Sequence, residues 1–111
     1  MKKLAILSLN VTLIHRDNFY LLANAQMMDI IFKTLSDKNR RRIIQLLKEK
    51  EMSVTELLTH FTITQASLSH HLDTLKRANL VIDERRGQFV YYSLNQSVFE
   101  ESVNMILNLL V

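Results

Sequence analysis

From Asn18 onward the apolar positions recur at helical spacing. Leu21, Ala25, Met28, Phe32 and Leu35 fall at i, i+4, i+7, i+11 and i+14, a single stripe with Asn24, Asp29 and Lys33 off it. Ser36-Asp37 interrupts with capping residues. A second helix follows, with Ile43, Ile44, Leu46 and Leu47 as its apolar face and Lys48 and Lys50 near its end, where they suit the helix dipole. Ser53-Val54-Thr55-Glu56 has the form of a capping box and predicts a short helix over roughly 54–61 that buries Leu57, Leu58 and Phe61. Thr62-Ile63-Thr64 is a short turn, and Thr64 caps a helix over 65–78 that packs through Leu68, Leu72 and Leu75. Asn79 then suits a left-handed position. The period next changes from helix to strand, over 80–84 and 89–94, with Gly87 free to turn between them. Asn95 caps a last helix with the stripe Phe99, Val103, Ile106 and Leu110.

Composition narrows this picture. The chain has 111 residues with one glycine and no proline or cysteine, 48% hydrophobic and 23% charged. That length supports one globular domain. Scarce turn formers argue against a sandwich or barrel, leaving a mainly α fold with a small β-hairpin. Without cysteine there is no disulfide framework, thiolate metal site or thiol redox sensor, and a cytoplasmic location is expected. Residues 1–26 carry Lys2, Lys3 and Arg16 against Asp17, so they hold +2 of the formal +3. Their opening apolar stretch resembles a signal peptide, but His15, Arg16 and Asp17 interrupt it before Ala23-Asn24-Ala25. No uncharged run reaches the roughly 20 apolar residues of a membrane span. The expectation is an N-terminal extension or added dimer element over 1–26 and a working domain over 27–111.

The remaining cations are clustered. Lys38, Arg40, Arg41 and Arg42 form one group, Arg85 and Arg86 another. A helix, a three-residue turn, a second helix and a hairpin with a basic tip make the order of a winged helix-turn-helix. Its second helix must offer small or forked polar groups to base edges, and Gln65, Ser67, Ser69 and His70 meet that need. With Leu68 at zero and about 100° per residue, His70 lands on the outer side with Thr74 and Arg77, whereas His71 lies at the border of the core. Arg85, Arg86 and Gln88 at the hairpin tip suit phosphate or minor-groove contact, against the simpler reading of a solvated tip. Arg40 and Arg41 have two readings. They are solvated helix surface, or cations tolerated at an unfavourable helix start because a phosphate lies nearby.

The stretch Phe32–Leu94, with LSDKNRRRIIQLL, SVTELLTHF, QASLSHHLDTLKRANLV and RRGQFVYYSL, resembles the ArsR/SmtB-type winged-helix repressors. It is most similar to their metal-independent subgroup typified by the sporulation-delaying toxin operon autorepressor. The resemblance implies a homodimer, joined through first and last helices, that represses by binding a palindromic promoter site in double-stranded DNA. Position by position, Gln65, Ser67, Ser69 and His70 match the recognition-helix contacts, Arg85, Arg86 and Gln88 the wing, and Arg40 the arginine near the start of the second helix. It further implies sequestration by a membrane-bound partner. Departures are informative: Asp37-Lys38-Asn39 stands where relatives usually have proline and threonine after the aspartate, and Asn79 where many have glycine. Metal-sensing relatives carry cysteines in the third helix or Asp/His pairs in the last. This chain has no cysteine, and its residues 97–111 hold no histidine or aspartate, so no cofactor or metal is expected.

Ser67 with His71 and His70 with Asp73 are helical neighbours, but no histidine aligns with both a serine and a carboxylate, so an enzyme is not expected. Leu21, Ala25, Met28 and Phe32 in the first helix, with Phe99, Val103, Ile106 and Leu110 in the last, are more apolar surface than a domain this small covers. A two-fold dimer would bury them, unless the two helices cover each other in one monomer. The alternative function is a winged-helix protein-interaction module that does not touch DNA. Convergence of Arg40, His70, Arg77 and Arg86 on one face would favour DNA; scatter would favour the module.

Overall fold

A computed structural model describes residues 22–110. Helix α1 covers 22–35, α2 Lys38–Glu49, α3 Val54–Leu58, α4 Gln65–Arg77 and α5 Gln96–Asn108; the strands are β1 Met52–Ser53, β2 Val81–Arg86 and β3 Phe89–Leu94. Residue 27 falls inside α1, which runs unbroken across the 26/27 boundary.

The local start and stop signals explain these bounds. Asp37 is the N-cap of α2, its carboxylate accepting from the amides of Asn39 (2.8 Å) and Arg40 (3.1 Å). Ser53 caps α3 by accepting from the Glu56 amide at 3.1 Å, and the Glu56 carboxylate reaches back to the serine hydroxyl. This helix stops at Leu58, shorter than the capping box and the apolar spacing imply, and two turn residues carry the chain to Phe61. Thr64 caps α4 through the Ser67 amide. Asn79 takes φ 59° and Gly87 φ 63°, the two left-handed positions among the described residues. Asn95 stands at the N-cap of α5 but its side chain bonds no helix amide; its Oδ1 accepts instead from the Ser97 hydroxyl.

Strands β2 and β3 pair antiparallel from Val81↔Leu94 out to Arg86↔Phe89, so the turn is the two residues Gly87-Gln88 and both arginines lie within the ladder. The sequence reading ended the first strand at 84 and missed β1. Met52↔Tyr92 and Ser53↔Tyr91 make β1 a third strand, in the order β1-β3-β2. Two residues are too few to show an alternating pattern.

Ile31, Ile43, Leu57, Leu68, Leu72, Leu75 and Leu80 are the largest fully buried side chains, so every helix but α5 sends at least one into a common core. The stripe read for α1 is not the one it buries here. Ile31 is 1% exposed and Thr34 is buried, with Met27 and Leu35 packed beside them, whereas Phe32 is 48% exposed and Ala25 is exposed. Leu21 lies outside the described residues. On α5, Val98, Phe99 and Ser102 face inward and Val103 outward, and Leu110 just beyond the helix is exposed. Both helices carry apolar residues on more than one face: Leu35 and Phe99 of the two stripes pack on the core, and Phe32, Val103 and Leu110 are left outside it.

Candidate nucleic-acid interface

Helix α4 is two-sided. Leu68, His71, Leu72 and Leu75 are buried, while Gln65, Ser69, His70 and Arg77 are exposed and Ser67 and Thr74 half-buried. The exposed side is a ridge between two grooves. On one flank, Gln65 and Ser69 line an open cleft with Gln88, Phe89 and Val90 of the hairpin and with Ser53, the cap of α3. On the other, His70, Thr74 and Arg77 line a groove with Ile30, Lys33 and Thr34 of α1. Roughly 100° per residue separates these sets cleanly, Gln65 and Ser69 pointing toward the hairpin and His70 and Thr74 toward α1. Lys33 was missed as a member of this surface, since only folding brings it beside His70. The C-terminal end of α4 is tied to the hairpin by the Lys76–Asp83 ion pair at 3.0 Å; that bond and the charge of Asp83 hold the Lys76 ammonium above its usual pKa. Burial raises the Tyr92 phenol next to it.

The two arginines of the hairpin differ in availability. Alternation sends them to opposite faces of the sheet. Arg85 is paired with Val90, one of the residues that line the cleft; its one bond is to the Gly87 carbonyl at 3.3 Å. Arg86 lies on the other face. It donates to both carboxylate oxygens of Glu51 (2.6 and 3.0 Å) and to Glu84 (2.8 Å), with its guanidinium 4.7 Å from the Tyr91 ring centre. These bonds move Arg86 well above its ordinary pKa and Glu51 below its own.

Arg40 and Arg41 are also engaged. Arg40 Nε donates to the Thr34 carbonyl at 2.6 Å, one Nη to the Lys33 carbonyl at 3.4 Å, and the other Nη faces His71 Nδ1 at 3.3 Å. Arg41 donates to the Leu35 carbonyl at 2.8 Å. The last carbonyls of α1, orphaned by the helix end, are thus satisfied by side chains from the next helix. Burial acts to raise the Asp37 carboxyl, but the amides of Arg40 and Asn39 and the charge of Arg40 outweigh it and leave it below the usual value.

Of the four groups expected to converge, His70 and Arg77 share a groove, Arg40 turns inward to His71, and Arg86 is held by Glu51. Arg77 is itself paired with Asp73 at 2.8 Å. His60 is exposed and lines neither groove. Among the described residues no three His, Cys, Asp or Glu side chains come together, and no helix is long and apolar enough to cross a membrane.

Comparison with known proteins decides what the partial convergence leaves open. Residues 37–83 match the family described as bacterial regulatory protein, arsR family. The transcriptional repressor SdpR of Bacillus subtilis (strain 168) is 47% identical over 81 residues, spanning 73% of this chain and 90% of that protein. The arsenical resistance operon repressor of Staphylococcus aureus is 34% identical over 76 residues, 68% of this chain and 73% of its own. Among solved structures, HlyU from Vibrio cholerae N16961 superposes with a TM-score of 0.64 at 29% identity, covering 76% of this chain and 89% of that one. With the winged helix-turn-helix geometry, these relatives place the chain in the ArsR family of bacterial regulatory proteins, as a DNA-binding transcription regulator.

Proposed function

We propose that the chain acts as a homodimeric repressor, not an enzyme, that occludes a promoter by binding a palindromic operator without a metal ligand. The observation that carries this reading is the polar outer face of α4, Gln65, Ser69, His70, Thr74 and Arg77, standing between the hairpin and α1 with no bulky apolar residue on it. Gln65, Ser67, Ser69 and His70 would read base edges in the major groove, and Arg85 and Gln88 would meet the flanking backbone. Arg86 joins them only by giving up Glu51.

Dimerisation is supported by apolar surface at both ends of the described chain. Leu22, Ile30 and Phe32 of α1 and Val103 and Leu107 of α5 are exposed, as are Leu109 and Leu110 just beyond it. A two-fold axis through these helices would bury each patch against its copy and set two recognition helices about 34 Å apart. The names of the two repressors among the relatives support repression, a regulator of bacterial genes works in the cytoplasm, and the toxin-operon resemblance supports release through a membrane-bound partner. Selection from a random pool of duplexes tests the reading. A two-fold symmetric consensus with half-sites about one helical turn apart is expected; an asymmetric consensus, or none, contradicts it.

A further inference from the structure

His71 is a titratable group 9% exposed inside a helix whose neighbours read DNA, and base reading has no use for it. Its Nδ1 lies 3.3 Å from an Arg40 Nη and 3.8 Å from Asp37 Oδ1. Arginine has no acceptor, so the contact requires His71 Nδ1 to accept and the ring proton to sit on Nε2. Arg40 meanwhile holds two carbonyls at the end of α1, Thr34 and Lys33. One planar guanidinium therefore bonds the last turn of α1 and the middle of α4 at once, and its residue stands in the first turn of α2, three positions after the Asp37 cap that accepts from its backbone amide.

We infer that Arg40 and His71 form a joint that sets the angle of the recognition helix relative to α1, making both positioning residues for operator binding and Arg40 no phosphate contact. The inference rests on the proposed dimer, in which α1 lies at the two-fold axis. Whatever fixes α4 to α1 then fixes the relative orientation of the two recognition helices. Three donors of one rigid fork, spent on two elements, restrict that angle more tightly than apolar contact does. Orientation set in advance spares the complex the cost of ordering, so the joint acts on binding that requires both half-sites together.

The experiment uses three duplexes: a palindrome selected by the wild-type protein, the same duplex with two base pairs inserted at its centre, and a single half-site. The wild-type protein is expected to prefer the intact palindrome over the insertion by about tenfold or more, and His71→Leu and Arg40→Met to reduce that preference to within about threefold, with half-site affinity changed less than twofold. His71→Asn, whose side-chain oxygen can replace Nδ1 as acceptor, should restore the preference; thermal melts confirm that each variant is folded. Full spacing preference in His71→Leu and Arg40→Met overturns the joint, as does His71→Asn behaving like His71→Leu. A uniform loss on all three duplexes in Arg40→Met, with a shallower salt dependence, overturns it too, since that marks a phosphate contact. If the wild-type protein selects no DNA, the functional reading fails by itself, and nitrogen NMR of the free protein still decides the joint. A neutral His71 with its proton on Nε2, shifted by Arg40→Met, supports it; a ring indifferent to Arg40 overturns it.

Discussion

The two arginine clusters look alike in sequence and have different fates in the fold. On α2, Arg40 and Arg41 turn back onto the carbonyls that end α1, so their charge is spent on joining two helices. On the hairpin, strand alternation divides a neighbouring pair: Arg85 makes a single bond, to the Gly87 carbonyl, and Arg86 is clamped by Glu51 and Glu84. The difference lies in what each side chain can reach. A helix N-terminus that follows a tight turn sits beside the orphan carbonyls of the preceding helix. A hairpin tip has only its own short strands, and there the pleat decides. Net charge therefore overstates the cationic surface offered to DNA.

The comparison breaks most visibly on stability. Arg40→Met removes bonds to buried or half-buried acceptors and should cost about 1–3 kcal/mol, whereas Arg85→Ala should stay within about 0.5 kcal/mol of wild type; chemical denaturation measures both, and equal losses would erase the distinction. On DNA the order reverses. Arg85→Ala should weaken many sequences alike and lower the slope of log affinity against log salt by about 0.9 per protomer, about 1.8 for the dimer, if each Arg85 meets one phosphate. Combining it with Arg86→Ala should add less than a second full contact, and loss confined to one base position would contradict the backbone assignment. A smaller effect sharpens the pair itself. Glu51→Gln releases part of the hold on Arg86 and should tighten binding a few-fold at low salt, by about what one exposed ion pair is worth; unchanged or weaker binding would show that Glu51 does not restrain Arg86. The smallest effect concerns acid. The folded Asp37 carboxyl lies below its ordinary value, so it adds stability that is present above the usual aspartate range and is lost as pH falls through the lowered pKa. Asp37→Asn keeps a cap but should flatten the decline of stability between about pH 5 and 3.

Much of this fold was legible because its signals are local. Capping residues, helical spacing, and the left-handed positions at Asn79 and Gly87 each depend on a few neighbouring residues, and the structure uses the caps Asp37, Ser53 and Thr64 and both left-handed positions, though Asn95 makes no side-chain cap bond. The burial of His71 and exposure of His70 also followed from spacing along one helix. What escaped depends on distant partners. No pattern announces that Glu51 meets Arg86 across 35 positions, that Arg40 meets His71 across 31, or that Lys33 borders the groove of His70. The division of α1 between inner and outer faces was also not legible. Ile30, Ile31 and Phe32 are consecutive and apolar, so spacing alone cannot tell the face that meets the monomer core from the faces left outside.

The central claim is that sequence choice resides on the outer face of α4. Competition between the selected palindrome and scrambled duplex, at one fixed salt concentration, tests it directly with the double variant Ser69→Ala, His70→Ala. The expected result is loss of preference for the palindrome, by about 1–3 kcal/mol for each base contact removed, with weak nonspecific binding retained. Undiminished preference for the palindrome would contradict the assignment.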